Sequence, residues 1–184
     1  MVKTIFYDSL INGQTYSSNK KIDVLNPSNN KSIGKLSDIG AKGTEKAVVA
    51  AHDAFSKWSK TTAEVRSKIL KNWYNLIIKD QKVLAEIITL ETGKPFSESL
   101  TEVTYGASFI QWFAEQTKRV SGNILSSPDR KKMLVMKQPI GVVSAITPWN
   151  FPVAMVTRKA SAAIDAGCTV VLKPSELKSI SAVK

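Results

Sequence analysis

A chain of 184 residues with 43% hydrophobic and 22% charged content suits one globular domain or one and a half, and none of its apolar runs approaches the roughly 20 residues needed to cross a bilayer. A net charge of +11 would permit nucleic-acid or membrane-surface binding, but the lysines are scattered at solvent-facing helical spacing and the densest clusters, Lys20-Lys21 and Arg130-Lys131-Lys132, are short. With no Arg/Gly tract, zinc-finger spacing or aromatic-basic motif, neither nucleic acid nor membrane is expected as a partner.

In chain order, residues 10–16 read as a hairpin turned at Asn12-Gly13, the pair that supplies positive φ to a tight type I′ turn. Residues 22–25 and 32–36 read as a second strand pair around Asn26-Pro27. From Gly43 the pattern turns helical, with Val48, Ala51, Phe55 and Trp58 at three-to-four spacing behind a Thr44 N-cap. Thr61 and Glu64 give a capping-box signature ahead of Val65, Ile69, Trp73, Leu76 and Ile77. Asp80 is placed to cap a third helix carrying Val83, Leu84, Ile87 and Ile88, closed by Gly93 and Pro95. A longer helix over 97–119 offers Val103, Phe109, Ile110 and Phe113 for burial and is over by Gly122.

Residues 131–138 alternate as a strand, with Met133, Val135 and Lys137 on one face, Leu134 and Met136 on the other, and Pro139 marking an edge or bend. Residues 142–146 form an apolar strand of the buried type. A helix over 152–166 follows, with Pro152 where a missing N–H costs nothing and Gly167 as its stop, and 169–172 is the next strand.

These last three elements make one β-α-β unit. Its two punctuated loops, Ile146-Thr-Pro-Trp-Asn-Phe-Pro152 and the end of Cys168-Thr-Val-Val-Leu-Lys-Pro-Ser-Glu176, fall at the carboxyl edge of parallel strands, where open α/β sheets hold ligands. Asn150 is open to two readings: a neutral amide donor for a developing oxyanion, or the N-cap of the helix that follows. Trp149 suits a core or a cofactor wall. Lys173 and Glu176 could hold the hydroxyls of a ribose, or could be a surface lysine and a carboxylate favoured by a helix N-terminus. The glycine-rich dinucleotide fingerprint is absent, since Gly141 and Gly167 stand alone.

Cys168, the only cysteine, begins an apolar strand with no cation beside it and reads as a small structural residue rather than a nucleophile. His52, the only histidine, falls on the polar side of its helix. One cysteine and one histidine leave no His-based metal site, no Ser-His-Asp triad and no internal disulfide, so no metal is expected. The opening residues reach Asp8 without a long apolar run; no secretory signal is expected, and the cytoplasm is the expected compartment.

Taken together, residues 146–152, Lys159-Ala160, Ala166-Gly-Cys168 and Val170-Val-Leu-Lys-Pro-Ser-Glu176 resemble the aldehyde dehydrogenase superfamily over essentially the whole chain. Phe109-Ile-Gln-Trp-Phe-Ala-Glu115, Lys118-Arg119 and Met155-Val-Thr-Arg-Lys159 are similar to its succinate-semialdehyde dehydrogenases. The resemblance implies an α/β fold: N-terminal strands and helices of a Rossmann-like cofactor domain over residues 1–122, oligomerisation-arm strands over 123–141, and the start of the cofactor-binding sheet over 142–184. It implies NAD(P)-dependent oxidation of an aldehyde, with succinate semialdehyde as substrate, in enzymes that assemble as homo-oligomers. Asn150 then becomes the oxyanion donor. Ile146, Trp149 and Asn150 line the cofactor cleft with Pro174 and Ser175, and Lys173 and Glu176 hold the adenine ribose. Glu176 favours NAD, because its charge repels a 2′-phosphate, while Lys173 serves NAD or NADP alike. Arg158 matches the position that contacts the substrate carboxylate, a task suited to a guanidinium fork.

The family's pyrophosphate turn, general-base glutamate and catalytic cysteine lie farther along its longer chains, and nothing here substitutes for them. The isolated chain is therefore expected to be inactive and prone to aggregate. It is either part of an enzyme, completed by a complementary C-terminal chain where the gene is split, or a non-catalytic nucleotide-binding or interaction fragment.

Overall fold

The computed structural model describes residues 5–177 and 179–184. Strand β1 (Ile5–Tyr7) is followed by the expected hairpin, β2 (Ser9–Ile11) and β3 (Gln14–Tyr16), with Asn12 and Gly13 both at positive φ in its turn. The second expected pair is β4 (Lys21–Leu25) and β5 (Ser32–Ser37), antiparallel to each other; β5 also runs parallel to β1, giving the order β1-β5-β4.

Four long helices follow. Helix α1 (Gly40–Trp58) starts before the position foreseen, because the Asp38 carboxylate accepts from the Gly40 N–H at 3.1 Å and satisfies the opening turn from outside. Thr44 is not its cap: it sits inside the first turn and its hydroxyl donates back to the Gly40 carbonyl. Helix α2 (Ala63–Lys79) is capped by Thr62, which accepts from Val65 N–H, whereas the Thr61 hydroxyl donates to the Trp58 carbonyl and closes α1. The capping signature was therefore one residue out of phase. Helix α3 (Gln81–Thr92) begins at Asp80 without a side-chain cap bond and ends as expected at Gly93, in the left-handed region. Helix α4 (Phe96–Gln116) runs into a 3₁₀ turn, Thr117–Arg119.

Only part of the strand expected over 131–138 forms: β6 (Asn123–Leu125) and β7 (Met133–Val135) pair antiparallel with Ile124 opposite Leu134. Strand β8 (Val142–Ile146), helix α5 (Pro152–Asp165) and strand β9 (Thr169–Lys173) then make the anticipated unit, with β8 and β9 parallel, before the short α6 (Ile180–Val183).

Helix α4 lies at the centre, against α2, α3 and α5. Its buried face is made largely of small or polar residues: Ser99, Glu102, Val103, Gly106, Ala107, Ile110 and Ala114. A Cβ added at Gly106 would stand 3.2 Å from the Ala154 Cα, so the glycine is what lets α4 and α5 approach closely. Leu84, Ala85, Ile88, Val103 and Val153 form one core cluster, and Leu70, Ile110 and Ala114 a second against Trp73, Phe113 and Ile164. A third joins Val24 and Leu36 of the N-terminal sheet to Ile180 of α6.

Several residues read from spacing as core lie on the surface instead, among them Val48, Val65, Ile69, Leu76 and Val83. The apolar stripes of α1 to α3 are wider than the faces their neighbours cover. Strands β8 and β9, expected to be buried, are mostly half-buried, since each has the other as its only strand partner among the described residues.

Candidate functional site

The register of the parallel pair sets the site. Ile146 lies opposite Lys173, and the Thr147 N–H donates to the Lys173 carbonyl at 3.1 Å, so the two loops leave adjacent strand ends on one edge. On the first loop Ile146 is 64% and Trp149 52% exposed, giving an apolar shelf at the strand ends. Asn150 is exposed too, and its side-chain amide takes no hydrogen-bond partner among the described residues. The helix-cap reading of Asn150 fails here: Phe151 occupies the N-cap position of α5 and supplies no side-chain bond.

On the second loop Lys173 Nζ lies 3.3 Å from Glu176 Oε2, both largely in solvent. The backbone N–H of Glu176 itself, and then Lys173, hold that carboxyl below the usual glutamate range. It is therefore an ionised acceptor at neutral pH. Pro174 is half-buried and Ser175 buried; Ser175 Oγ accepts from Leu177 N–H while its carbonyl accepts from the Ser179 hydroxyl, so Ser175 shapes the loop rather than facing outward.

Arg158 stands two turns into α5, exposed, with its guanidinium 5.6 Å from the centre of the Phe109 ring. Phe109 meets Tyr105 edge to face at 4.7 Å. Tyr105 in turn lines a cleft of about 350 Å³ with Ser97, Glu98, Thr101, Glu102 and Phe151. The residue after Asn150 and the ring beneath Arg158 are thus linked along one side of α4. Lys173 and Glu176 line neither this cleft nor a second one beside α2. Cys168 is buried at the end of α5. There the Gly167 N–H bonds to Ile164 O and the Cys168 N–H to Ala163 O, a Schellman closure that gives the thiol a packing role. His52 is exposed on α1, as its spacing suggested.

Three charged residues at the site were not singled out from sequence. Glu102 is 2% exposed; its Oε1 accepts from Val153 N–H at 3.1 Å, and its Oε2 lies 2.5 Å from Lys94 Nζ. Lys94 Nζ also donates to the Asn150 carbonyl at 2.6 Å and sits 4.1 Å over the Phe151 ring. Glu91, fully buried, accepts from Ile180 N–H at 2.9 Å and from the Ser181 backbone and hydroxyl, and so closes the start of α6. One signal was available: Glu91 follows Leu84 and Ile88, and Glu102 adjoins Ser99 and Val103, at the spacing of the buried faces of α3 and α4.

The sequence model of the aldehyde dehydrogenase family matches residues 14–184. The chain belongs to the aldehyde dehydrogenase family. Among curated family members, it is 50% identical over 165 residues to the mitochondrial succinate-semialdehyde dehydrogenase of Oryza sativa subsp. japonica, covering 89% of this chain and 31% of that protein. It is 48% identical over 178 residues to the NADP(+) succinate-semialdehyde dehydrogenase GabD of Escherichia coli K12, covering 95% and 37%. Among solved aldehyde dehydrogenase structures, the succinate-semialdehyde dehydrogenase of Burkholderia pseudomallei superposes with a TM-score of 0.94 at 43% identity, over 96% of this chain and 37% of that one. An NAD-dependent aldehyde dehydrogenase from Sinorhizobium meliloti gives 0.94 at 32% identity, over 99% and 38%. The chain spans about a third of the length of these relatives, and the α/β arrangement expected from sequence is that of their matched part.

Proposed function

We propose that this aldehyde dehydrogenase chain supplies the cofactor-side loops for NAD-linked oxidation of succinate semialdehyde to succinate. The observation that carries the proposal is the pairing of Ile146 with Lys173, which sets the Asn150 loop and the Lys173–Glu176 loop side by side at one strand-end edge. The residues present fit the cofactor: an exposed apolar shelf at Ile146 and Trp149 stands beside an ionised carboxylate and a lysine able to share ribose hydroxyls. Bound NAD supplies the hydride acceptor. Glu176 takes both ribose hydroxyls and disfavours a 2′-phosphate, which selects NAD over NADP although one relative is named for NADP(+).

Asn150, whose amide takes no hydrogen-bond partner among the described residues, donates to the oxygen that gains charge when an aldehyde is attacked. Arg158 holds the distal carboxylate of the substrate as a fork, its guanidinium 5.6 Å over the Phe109 ring centre. The run from Phe151 through Tyr105 and Phe109 to Arg158 supports an aldehyde with an acid at its far end. The attacking cysteine and the general base are not among these residues, so the chain works as part of a larger unit, with residues 123–141 as its assembly arm, in the cytoplasm. No described helix is long and apolar enough to cross a membrane.

The test is spectrophotometric. With succinate semialdehyde and NAD, the purified 184-residue chain yields no NADH, and activity appears when a chain carrying the missing cysteine and glutamate is supplied. Turnover by the chain alone overturns the assignment of roles. Calorimetric binding of NAD with no activity under any complementation favours the alternative, a non-catalytic nucleotide-binding fragment.

A further inference from the structure

We infer that Lys94 and Glu102 form a positioning pair that fixes the backbone from which the Asn150 amide projects, by holding the loop at the Asn150 carbonyl and the Val153 N–H. This rests on the reading of Asn150 as an oxyanion donor.

The side-chain amide of Asn150 takes no hydrogen-bond partner among the described residues, and the loop's own devices do not fix its backbone. Pro152 has no N–H, and Phe151 offers no side-chain cap, which leaves Val153 as the first donor of α5. That donor is taken by Glu102 Oε1 from the neighbouring helix α4, 51 residues away in sequence. Nearer to Asn150, its own carbonyl is taken by Lys94 Nζ, and the Phe151 ring lies against the same ammonium. Lys94 and Glu102 then close on each other at 2.5 Å, so residues 150–153 are gripped at the carbonyl, the ring and the N–H by one connected charge pair. The Glu102 side chain is 1% and that of Lys94 20% exposed. An ion pair this deep is a weak source of stability against a well-packed apolar pair, because both charges leave water. What it provides instead is direction: three fixed bonds to backbone and ring that an apolar pair could not make.

The test compares Lys94→Met, Lys94→Arg and Glu102→Gln in the full chain by peptide-resolved hydrogen exchange and by the side-chain amide resonances of a ¹⁵N-labelled Asn150. Lys94→Met and Glu102→Gln are expected to speed exchange over residues 147–155 by roughly tenfold or more, the scale of losing one charge-assisted bond, and to shift the two Asn150 amide resonances as the loop backbone beneath them is released. Exchange in β4 and β5 stays unchanged, and Lys94→Arg restores both readouts. Unchanged exchange over 147–155, or an unmoved Asn150 resonance, overturns the inference. Uniform loss of protection in both disruptive variants, β4 and β5 included, overturns it as well, because the pair is then a requirement of the fold as a whole. Neither readout uses NAD or turnover, so failure of the aldehyde-oxidation assignment would be seen separately in the spectrophotometric assay.

Discussion

The ionisable residues divide into two groups with opposite pH signatures. Asp8 accepts hydrogen bonds from Ser37, Lys21 and Ser17, and these hold its carboxyl down at about 2. Asp38 is likewise lowered, first by Lys20, and Asp23 first by the Ser32 hydroxyl. A carboxyl depressed in the folded state contributes stability above its unfolded value and loses it as pH falls through the folded one. The N-terminal strands should therefore weaken progressively below about pH 4, and Asp8→Asn should lower the melting temperature at pH 7 but not near pH 2.

Asp165 is the opposite case. It is buried at the end of α5 with Oδ1 unpartnered among the described residues, and burial pushes its pKa up despite the Thr117 hydroxyl and the charge of Arg66. A raised carboxyl favours the fold below its unfolded pKa, and that contribution is lost as pH rises through the folded one. Asp165→Asn should thus raise the melting temperature at pH 7 and leave it unchanged at pH 3, as measured by thermal melts across pH.

At the scale of elements, the Schellman turn between α5 and β9 decides whether the second loop arrives beside the first. Gly167 has φ +81°, and a Cβ there would stand 2.9 Å from the Pro139 ring. Gly167→Ala should cost about 1–2 kcal/mol in backbone strain and more from the contact with Pro139, read as a lower denaturant midpoint with unchanged slope. Glu91 performs for α6 what Glu102 performs for α5: in each case a buried carboxylate on the α3–α4 pair satisfies the opening N–H groups of a helix that follows a candidate loop. Replacing Glu91 by Ala leaves those donors unpaired in the interior, and a loss of about 3 kcal/mol is expected in urea unfolding. Most of the elements could be read from residue spacing. Apart from the strand expected over 131–138, which forms only over Met133–Val135, the errors fell at helix starts, where the cap depends on which hydroxyl or carboxylate the chain path brings to the first free N–H. Thr62 displaced Thr61 for that reason, and Asp38 displaced Thr44.

For the whole molecule, apolar surface is the governing fact. Ile140 is 89% exposed, Ile124 78%, Met136 72% and Leu134 63%, all on or beside the β6–β7 hairpin, which has no third strand among the described residues. The purified chain should self-associate in a concentration-dependent way and bind ANS, as seen by light scattering and fluorescence. Ile124→Lys with Leu134→Lys should shift it toward monomer while leaving the helical signal intact, because neither residue touches the buried clusters.

The candidate site was legible from sequence to the extent that its residues lie on two short loops of fixed chemistry. The Pro-Trp-Asn-Phe-Pro run, the Lys-Pro-Ser-Glu run and the strand-helix-strand pattern between them are local features, set by proline, glycine and apolar spacing within about thirty residues. Sequence by itself therefore determined the elements, the family resemblance and the shared edge. Tertiary structure decided what no local pattern carries: that Lys94 and Glu102 reach the Asn150 loop, that Glu91 reaches α6, that Ser175 turns inward, and that the outer stripes of α1 and α2 stay exposed. The first two are contacts between segments distant in the chain. The reach of Glu102 to Val153 depends on how closely α4 can approach α5 past Gly106, a distance set by packing and invisible in the periodicity of either helix alone.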